Sequence, residues 1–472
     1  MQEKPHDKDR GLVKTIDNRV FHIIPSFLKE RGFTDRKLTD TPTDDLQVVN
    51  KKYVDDNGSA KSATFIIGPS SNSDSSRYDY RTDGINDEVQ IQAAIDALPT
   101  NGGRIIFREG TYTLGILDGT NISSSKNGII LEGQGRGTII KFANNFGDSS
   151  RIMNLTGSRC KVKNIYFDGN RANIVGGAIT PLGLVYLSTG TNCEVSGCYF
   201  VDAAGIGVSS TGNGNMIYGN EFRDCDAQYV DTKFVLYVGG NCIIANNYLV
   251  TSLTTVTTGM IGQPNAADVG VLVIGNYITL PNSSVTSGIV GCGTVTNNRI
   301  EIGTSYTTST TVIITCFQAV GNQLYFGTTA DVDSVGIDDV DQIVGNFISG
   351  AGEGIKGTDA DIISNNDIEE GRGHGIRVNN NQTVVSNNKI QNVGKATNNT
   401  YSGILITVAN ARCIISGNRI RSGAVNKHQY GIRENSTTTG PNVITNNVCT
   451  DAITDQISIQ HTLTDAAHNI TA

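Results

Sequence analysis

The sequence predicts an all-β chain wound as a right-handed parallel β-helix, and three observations carry that prediction. A phrase close to Ile/Val-x-[Gly/Asn]-Asn-x-[Ile/Leu/Phe] returns as IYGNEF, IANNYL, VIGNYI, VTNNRI, AVGNQL, IVGNFI, ISNNDI, VSNNKI, ISGNRI and ITNNVC. Its fourth residue is Asn220, Asn247, Asn276, Asn298, Asn322, Asn346, Asn366, Asn388, Asn418 and Asn447, at intervals of 20 to 30 residues. A second phrase alternates with it: GIGV, GIVG, GIDD, GIKG, GIRV, GILI, GIRE. The third observation is composition: 54 Gly, 9 Pro, no Trp and 17% charged residues suit short strands separated by turns.

Each unit is strand, turn, strand, with an apolar residue at alternate positions. A unit this small cannot bury its own apolar side, whereas stacked rungs share one continuous core. Rungs pair in parallel ~4.8 Å apart, so equivalent residues stack into ladders. An asparagine at a sharp corner tolerates unusual φ, and its amide bonds to the asparagines above and below. Two earlier copies, VKNIYF and VSGCYF, keep the apolar frame without this asparagine. Cys160, Cys193, Cys242 and Cys413 each lie two residues before a core Val or Ile. With nine cysteines, no CxxC pair and no zinc-like spacing, they read as small buried thiols.

In chain order, residues 1–62 are expected to form an attachment or oligomerisation region. Residues 63–115 supply a capping helix and the first strands, 116–452 the β-helix body, and 453–472 a closing segment. In EVQIQAAIDAL the residues Val89, Ile91, Ala94, Ile95 and Leu98 mark the apolar face of one amphipathic helix. Such a helix covers the open end of a solenoid and its unpaired strand edges.

Residues 83–112 resemble the start of the pectate-lyase-like β-helices found in phage tailspikes and depolymerases. The match is Asp83, Asp87, Ile91, Gln92, Ala94, Ile95, Gly102, Gly103, Phe107, Gly110 and Tyr112. GIILEGQGRGTIIKF and VKNIYFDGN look like that family's early coils. Upstream, Pro42, Thr43, Lys51, Lys52, Tyr53, Val54 and Asp55 are similar to a short segment common in phage tail-fibre proteins. Leu46, Val49 and Tyr53 fall at heptad-like spacing, enough for a short interchain helix. The resemblance implies a virion tail component, made in the host cytoplasm, trimeric, attached to other tail proteins and facing host-surface polysaccharide. These motifs specify architecture and contain no catalytic residues.

The Gly-Ile strands locate charge. The position after each Ile gives Asp338, Lys356, Arg377, Leu405 and Arg433, and the position two before gives Val335, Glu353, His374, Ser402 and Tyr430. Both columns are expected to face outward. Earlier rungs place Ala204, Gly207, Ser287 and Val290 there, so the charge is local. As catalytic candidates the sequence offers Glu353, His374, Asp338 and Arg377; as substrate-binding residues it offers Lys356, Tyr430 and Arg433. β-Elimination from an acidic sugar needs a cation beside the carboxylate and a base for the C5 proton. Hydrolysis needs two carboxylates ~5 to 9 Å apart, met by Glu353 with Asp338 or Asp338 with Asp341. The bland alternative is a solvated salt-bridge network. A depolymerase, a non-cleaving adhesin or structural spike, and a secreted pectate-lyase-like enzyme all remain open.

Other classes are disfavoured. A net charge of −8 argues against nucleic acid and anionic membranes as main partners. No apolar run approaches a spanning helix, and the first thirty residues carry no signal-peptide core. No cofactor is implied. Asp224, Asp226 and Asp231 offer oxygen ligands for Ca²⁺ but lack an EF-hand pattern.

Overall fold

The computed structural model divides into two units, residues 1–62 and 63–472. It describes three short strands before residue 63. From 63 to 471 it describes all residues except 73–74, 116–118, 148–150, 176–183, 226–233, 252–258, 263–267, 281–286, 304–309, 328–332, 398, 409–411, 424–427, 436–440 and 461–463. In the first unit Val13–Ile16, Arg19–His22 and Arg36–Lys37 pair antiparallel. The expected interchain helix around Leu46, Val49 and Tyr53 lies outside the described residues.

The second unit is a right-handed parallel β-helix of three sheets, and every strand pairing in it is parallel. Each sheet has one inward ladder. In the first, Ile289, Ile313, Ile337, Ile355, Ile376, Ile404 and Ile432 stack rung on rung. In the second, Ile343, Ile363, Val385, Ile415 and Ile444 do so. In the third, Phe167, Phe200 and Phe222 stack face to face at 5.1 and 4.8 Å. These ladders are fully buried and form one core. All nine cysteines are buried thiols, as expected of small core residues.

The ladder asparagines sit at the corner between the second and third sheets, each 2% exposed or less. Asn346 shows the pattern. Its Oδ1 accepts both the main-chain N–H of Asn322 and the Asn322 Nδ2, each at 2.9 Å. Its own N–H and Nδ2 donate to Asn366 Oδ1 at 2.9 and 3.0 Å. Its Nδ2 also donates to Ala319 O. The chain of amides continues from the Cys198 N–H through Asn220 to Asn469. Positive φ, expected of the same residue, belongs to its predecessor: Asn365, Asn387 and Asn446, or Gly345 and Gly417. The two asparagines of "SNN" thus have separate tasks, the first bending the chain and the second bonding the rungs.

The capping helix, α1, spans Glu88–Ala97. Ile91, Ala94, Ile95 and Leu98 are buried, but Val89 is 60% exposed and belongs to the solvent face. Buried Asp87 fixes the entry by accepting the N–H groups of Gly84 and Thr113, both at 2.7 Å. At the other end Lys126 Nζ donates to the carbonyls of Ile95, Asp96 and Leu98. Ile95 O also accepts the Leu98 N–H, but the carbonyls of the last turn lack the donors of a further turn, so an ammonium there completes the helix. Beyond 452, Asp455–Ser458, Asp465–Ala467 and Ile470–Thr471 add strands to all three sheets.

Substituting Asn346→Ala leaves the Asn322 donors and Ala319 O unpaired in the core. We expect a loss on the order of 3 kcal/mol, read from the urea or thermal transition. Asn365→Gly, at a position that holds glycine on the rung before, Gly345, is expected to stay close to wild type. Equal effects of the two substitutions would refute the division of labour.

Candidate functional site

The two charge-bearing columns exist in the register expected. Asp338 pairs with Lys356, Lys356 with Arg377, Arg377 with Leu405 and Leu405 with Arg433. Val335 pairs with Glu353, and Ser402 with Tyr430. The GIGV phrase, however, was set two residues too early. The inward ladder runs through Val208 and not Ile206, so Ser209 and Ile206 replace Gly207 and Ala204 in the outward columns. The column before Asp338 then reads Tyr186, Ser209, Tyr237, Gly262, Val290, Ile314, which keeps it uncharged.

Strict alternation would turn the position two before each Ile into the core. The glycine in between prevents this. A Cβ on Gly354 would lie 2.6 Å from Ile368 Cγ2, and one on Gly375 2.6 Å from Ile390 Cγ2. Both the glycine and the following Ile therefore face inward, and Glu353 and His374 are turned out. Only a residue without a side chain fits so close to the opposite sheet.

Outward does not mean exposed. Asp338, Glu353 and His374 are 7%, 6% and 8% exposed. Lys356 Nζ donates to Asp338 Oδ2 at 2.8 Å, and Thr358 Oγ1 donates to Asp338 Oδ1 at 2.5 Å. Arg377 Nη2 donates to Glu353 Oε1. Burial lowers the Arg377 guanidinium from its ordinary value, and its Nε has no hydrogen-bond partner among the described residues. His374 Nδ1 accepts the Ser402 N–H at 2.9 Å, and its ring meets Tyr401 edge-on at 5.2 Å. Burial, with Arg433 nearby, pulls His374 down to about 4, so it is neutral at physiological pH.

Arg433 differs from the other cations of the columns. It lies 4.9 Å over the Tyr430 ring, and its Nη1 reaches Gln429 Oε1 at 3.4 Å. It forms no ion pair among the described residues. The structure thus brings all seven predicted residues onto one face but divides them. Asp338 and Glu353 are each committed to a cation, while Arg433 with Tyr430 is left facing outward. Each carboxylate thus meets a ligand with a cation already bound to one of its oxygens.

Next to this face is an acidic corner that the sequence reading missed except for Asp341. Asp359 is raised by its hydrogen bond to Asp339 and by burial; Asp341 is raised by burial and by Asp361 and Asp339. These residues share no column phrase, which is why periodicity does not find them. Thr358, Tyr401 and Gln429 also escaped notice, because each sits in a turn or just before a strand. No group of three or more His, Cys, Asp or Glu among the described residues is arranged to hold a metal ion. Of the proposed Ca²⁺ ligands, Asp226 and Asp231 lie outside the described residues.

No family model and no curated protein matches the chain. Several solved structures share its fold. The adhesin PfbA of Streptococcus pneumoniae is 15% identical, with 75% of this chain and 92% of that one covered and a TM-score of 0.48. A tailspike protein of E. coli bacteriophage HK620 in complex with a hexasaccharide is 16% identical, with 77% and 61% covered and a TM-score of 0.41. The A-module of the Azotobacter vinelandii mannuronan C-5 epimerase AlgE6 is 16% identical, with 82% and 96% covered and a TM-score of 0.36. What the chain shares with them is the parallel β-helix fold. The likeness extends to architecture alone. No described helix is long and apolar enough to cross a membrane.

The neutral His374 gives a pH signature. Its folded value, about 4, lies below the ordinary 6.5, so on acidification the unfolded chain takes up the proton first. This contribution to stability is complete above pH 6.5 and is lost as pH falls towards 4. His374→Asn keeps an acceptor for the Ser402 N–H and cannot titrate. Its urea midpoint is expected to fall less than that of wild type across this window, and parallel curves would rule the assignment out.

Proposed function

We propose that this protein is a polysaccharide-binding spike subunit of a phage tail, which lays the first sheet between Asp338 and Arg433 along a host-surface glycan. The observation that carries this reading is Arg433. It is an outward guanidinium without a carboxylate partner among the described residues, stacked on Tyr430, in a column whose other cations are paired. An aromatic ring beside a free cation suits an acidic sugar, the ring taking the apolar face and the guanidinium the carboxylate. Binding without cleavage is the favoured form, because Asp338 and Glu353 are held by Lys356 and Arg377. The virion role is supported by the tail-fibre-like wording from Pro42 to Asp55 and by the tailspike-like start at Asp83.

Retention of acidic envelope polysaccharide by the immobilised full chain tests the reading. Arg433→Ala is expected to weaken retention roughly tenfold or more. Lys389→Ala, on the third sheet, should leave it unchanged. Equal retention by Arg433→Ala and wild type would place the glycan elsewhere. New reducing ends, or the ultraviolet absorbance of an unsaturated sugar, would show cleavage and overturn the non-cleaving form.

The same reading includes a homotrimer. Its support is an outward column of the second sheet, Ile362, Val384, Ile414 and Val443, on four successive rungs. Ile362, Ile414 and Val443 are 38%, 43% and 39% exposed, and Ser364, Ser386, Ser416 and Thr445 run beside them. An aliphatic stripe parallel to the solenoid axis matches itself on copies set around a common axis. The double variant Ile414→Asp, Val443→Asp should sediment as monomer where wild type sediments as trimer. A monomeric wild type ends this part of the proposal.

A further inference from the structure

We propose that the cavity between α1 and the first sheet is a second saccharide subsite, which takes one neutral pyranose unit. The cavity measures about 330 Å³, at the lower end of the sizes that hold a small ligand. Its lining includes Asp96, Ser123, Ser125, Lys126, Asn154 and Thr156 and contains no aliphatic or aromatic side chain. A pyranose carries hydroxyl groups that both donate and accept, and this wall offers both functions in return.

Some of these groups are already committed. Gln92 bonds the N–H and C=O of Ser123 and also Asp96 Oδ1, stitching α1 to the sheet. Lys126 Nζ donates to three carbonyls at the end of α1, so its charge is turned to the helix and away from a ligand. Others are not committed. Asn154 Oδ1 is a buried acceptor without a partner among the described residues. The hydroxyls of Ser123 and Ser125 bond no protein group among the described residues. Rotation of the Asn154 amide turns either an acceptor or a donor to the cavity.

Electrostatics chooses the neutral sugar. The Asp96 carboxylate is the only side-chain charge of the lining that the helix end does not engage, and it repels an acidic ligand. Position supports the same role. Ser123 and Asn154 belong to the outward column that later carries Asp338 and Arg433. Seven rungs, roughly 34 Å, separate Asn154 from Asp338 along one continuous sheet face. A polymer of alternating acidic and neutral sugars would find a neutral grip at the capped end and a cationic one at Arg433.

The inference rests on the reading that this face binds glycans, and its test separates the two. The full chain is mixed in turn with glucose, galactose, mannose, N-acetylglucosamine, glucuronate and glycerol, and saturation-transfer NMR is recorded. At least one neutral sugar should receive saturation, and neither glucuronate nor glycerol should displace it. The signal should fall severalfold in Asn154→Leu and in Ser125→Tyr, which fills the cavity, and persist in Arg433→Ala. Ser125 is exposed and Asn154 half-buried on an outward face, so matched melting temperatures are expected; if one variant fails to fold, the other decides. Absence of transfer to every neutral sugar overturns the subsite, as does an undiminished signal in the folded variants or displacement by glycerol. If Arg433-dependent polysaccharide retention survives such a result, the subsite alone has failed.

Discussion

One buried amide per rung sets the register on which the rest of this protein depends. From Asn247 on, each ladder asparagine accepts two donors from the rung before and gives its own donors to the rung after and to a main-chain carbonyl, as Asn346 does. A carboxamide used in this way leaves no buried polar group unpaired, the condition under which such a group can occupy a core. A slip of one residue would break these bonds and turn every side chain to the opposite face. The ladder therefore fixes which residues of the first sheet look outward, although it lies at a different corner.

The Gly-Ile phrase adds a second constraint. Consecutive inward positions, a glycine and an isoleucine, interrupt the two-residue alternation where the first sheet begins. Glu353 and His374 owe their position to that interruption. Without the glycine, Ile368 and Ile390 on the opposing sheet would block a side chain. The site is thus built where the sheet departs from regularity, and its two carboxylates arise from different registers of the same strand pair.

The period was legible because it is imposed by packing, and packing leaves an apolar mark at every rung. What a rung does with its polar residues was less legible. "SNN" reads as one signal, but the φ > 0 residue and the bonding residue are neighbours with opposite tasks. GIGV imitates the site phrase, yet Val208 carries the ladder there, because two apolar residues two apart are both compatible with an inward position. Val89 fits the helical period and still faces solvent, since α1 buries a narrower stripe than its sequence allows. Which cation meets which carboxylate was not readable at all. Lys356 could turn to a neighbour on either side, and the choice depends on side-chain reach across a rung.

The charges on the first sheet are not required by the fold. At equivalent outward positions the same ladder accepts Val290, Ile314 and Leu405, and the rungs above and below pair without interruption. Half-buried ion pairs such as Lys356–Asp338 and Arg377–Glu353 bring little net stability, because loss of hydration offsets most of their attraction. An uncharged sheet of this length would stand equally well on its asparagines and its core. The pairs instead hold two cations and two carboxylates in fixed directions beside Arg433, whose own charge nothing in the described structure neutralises.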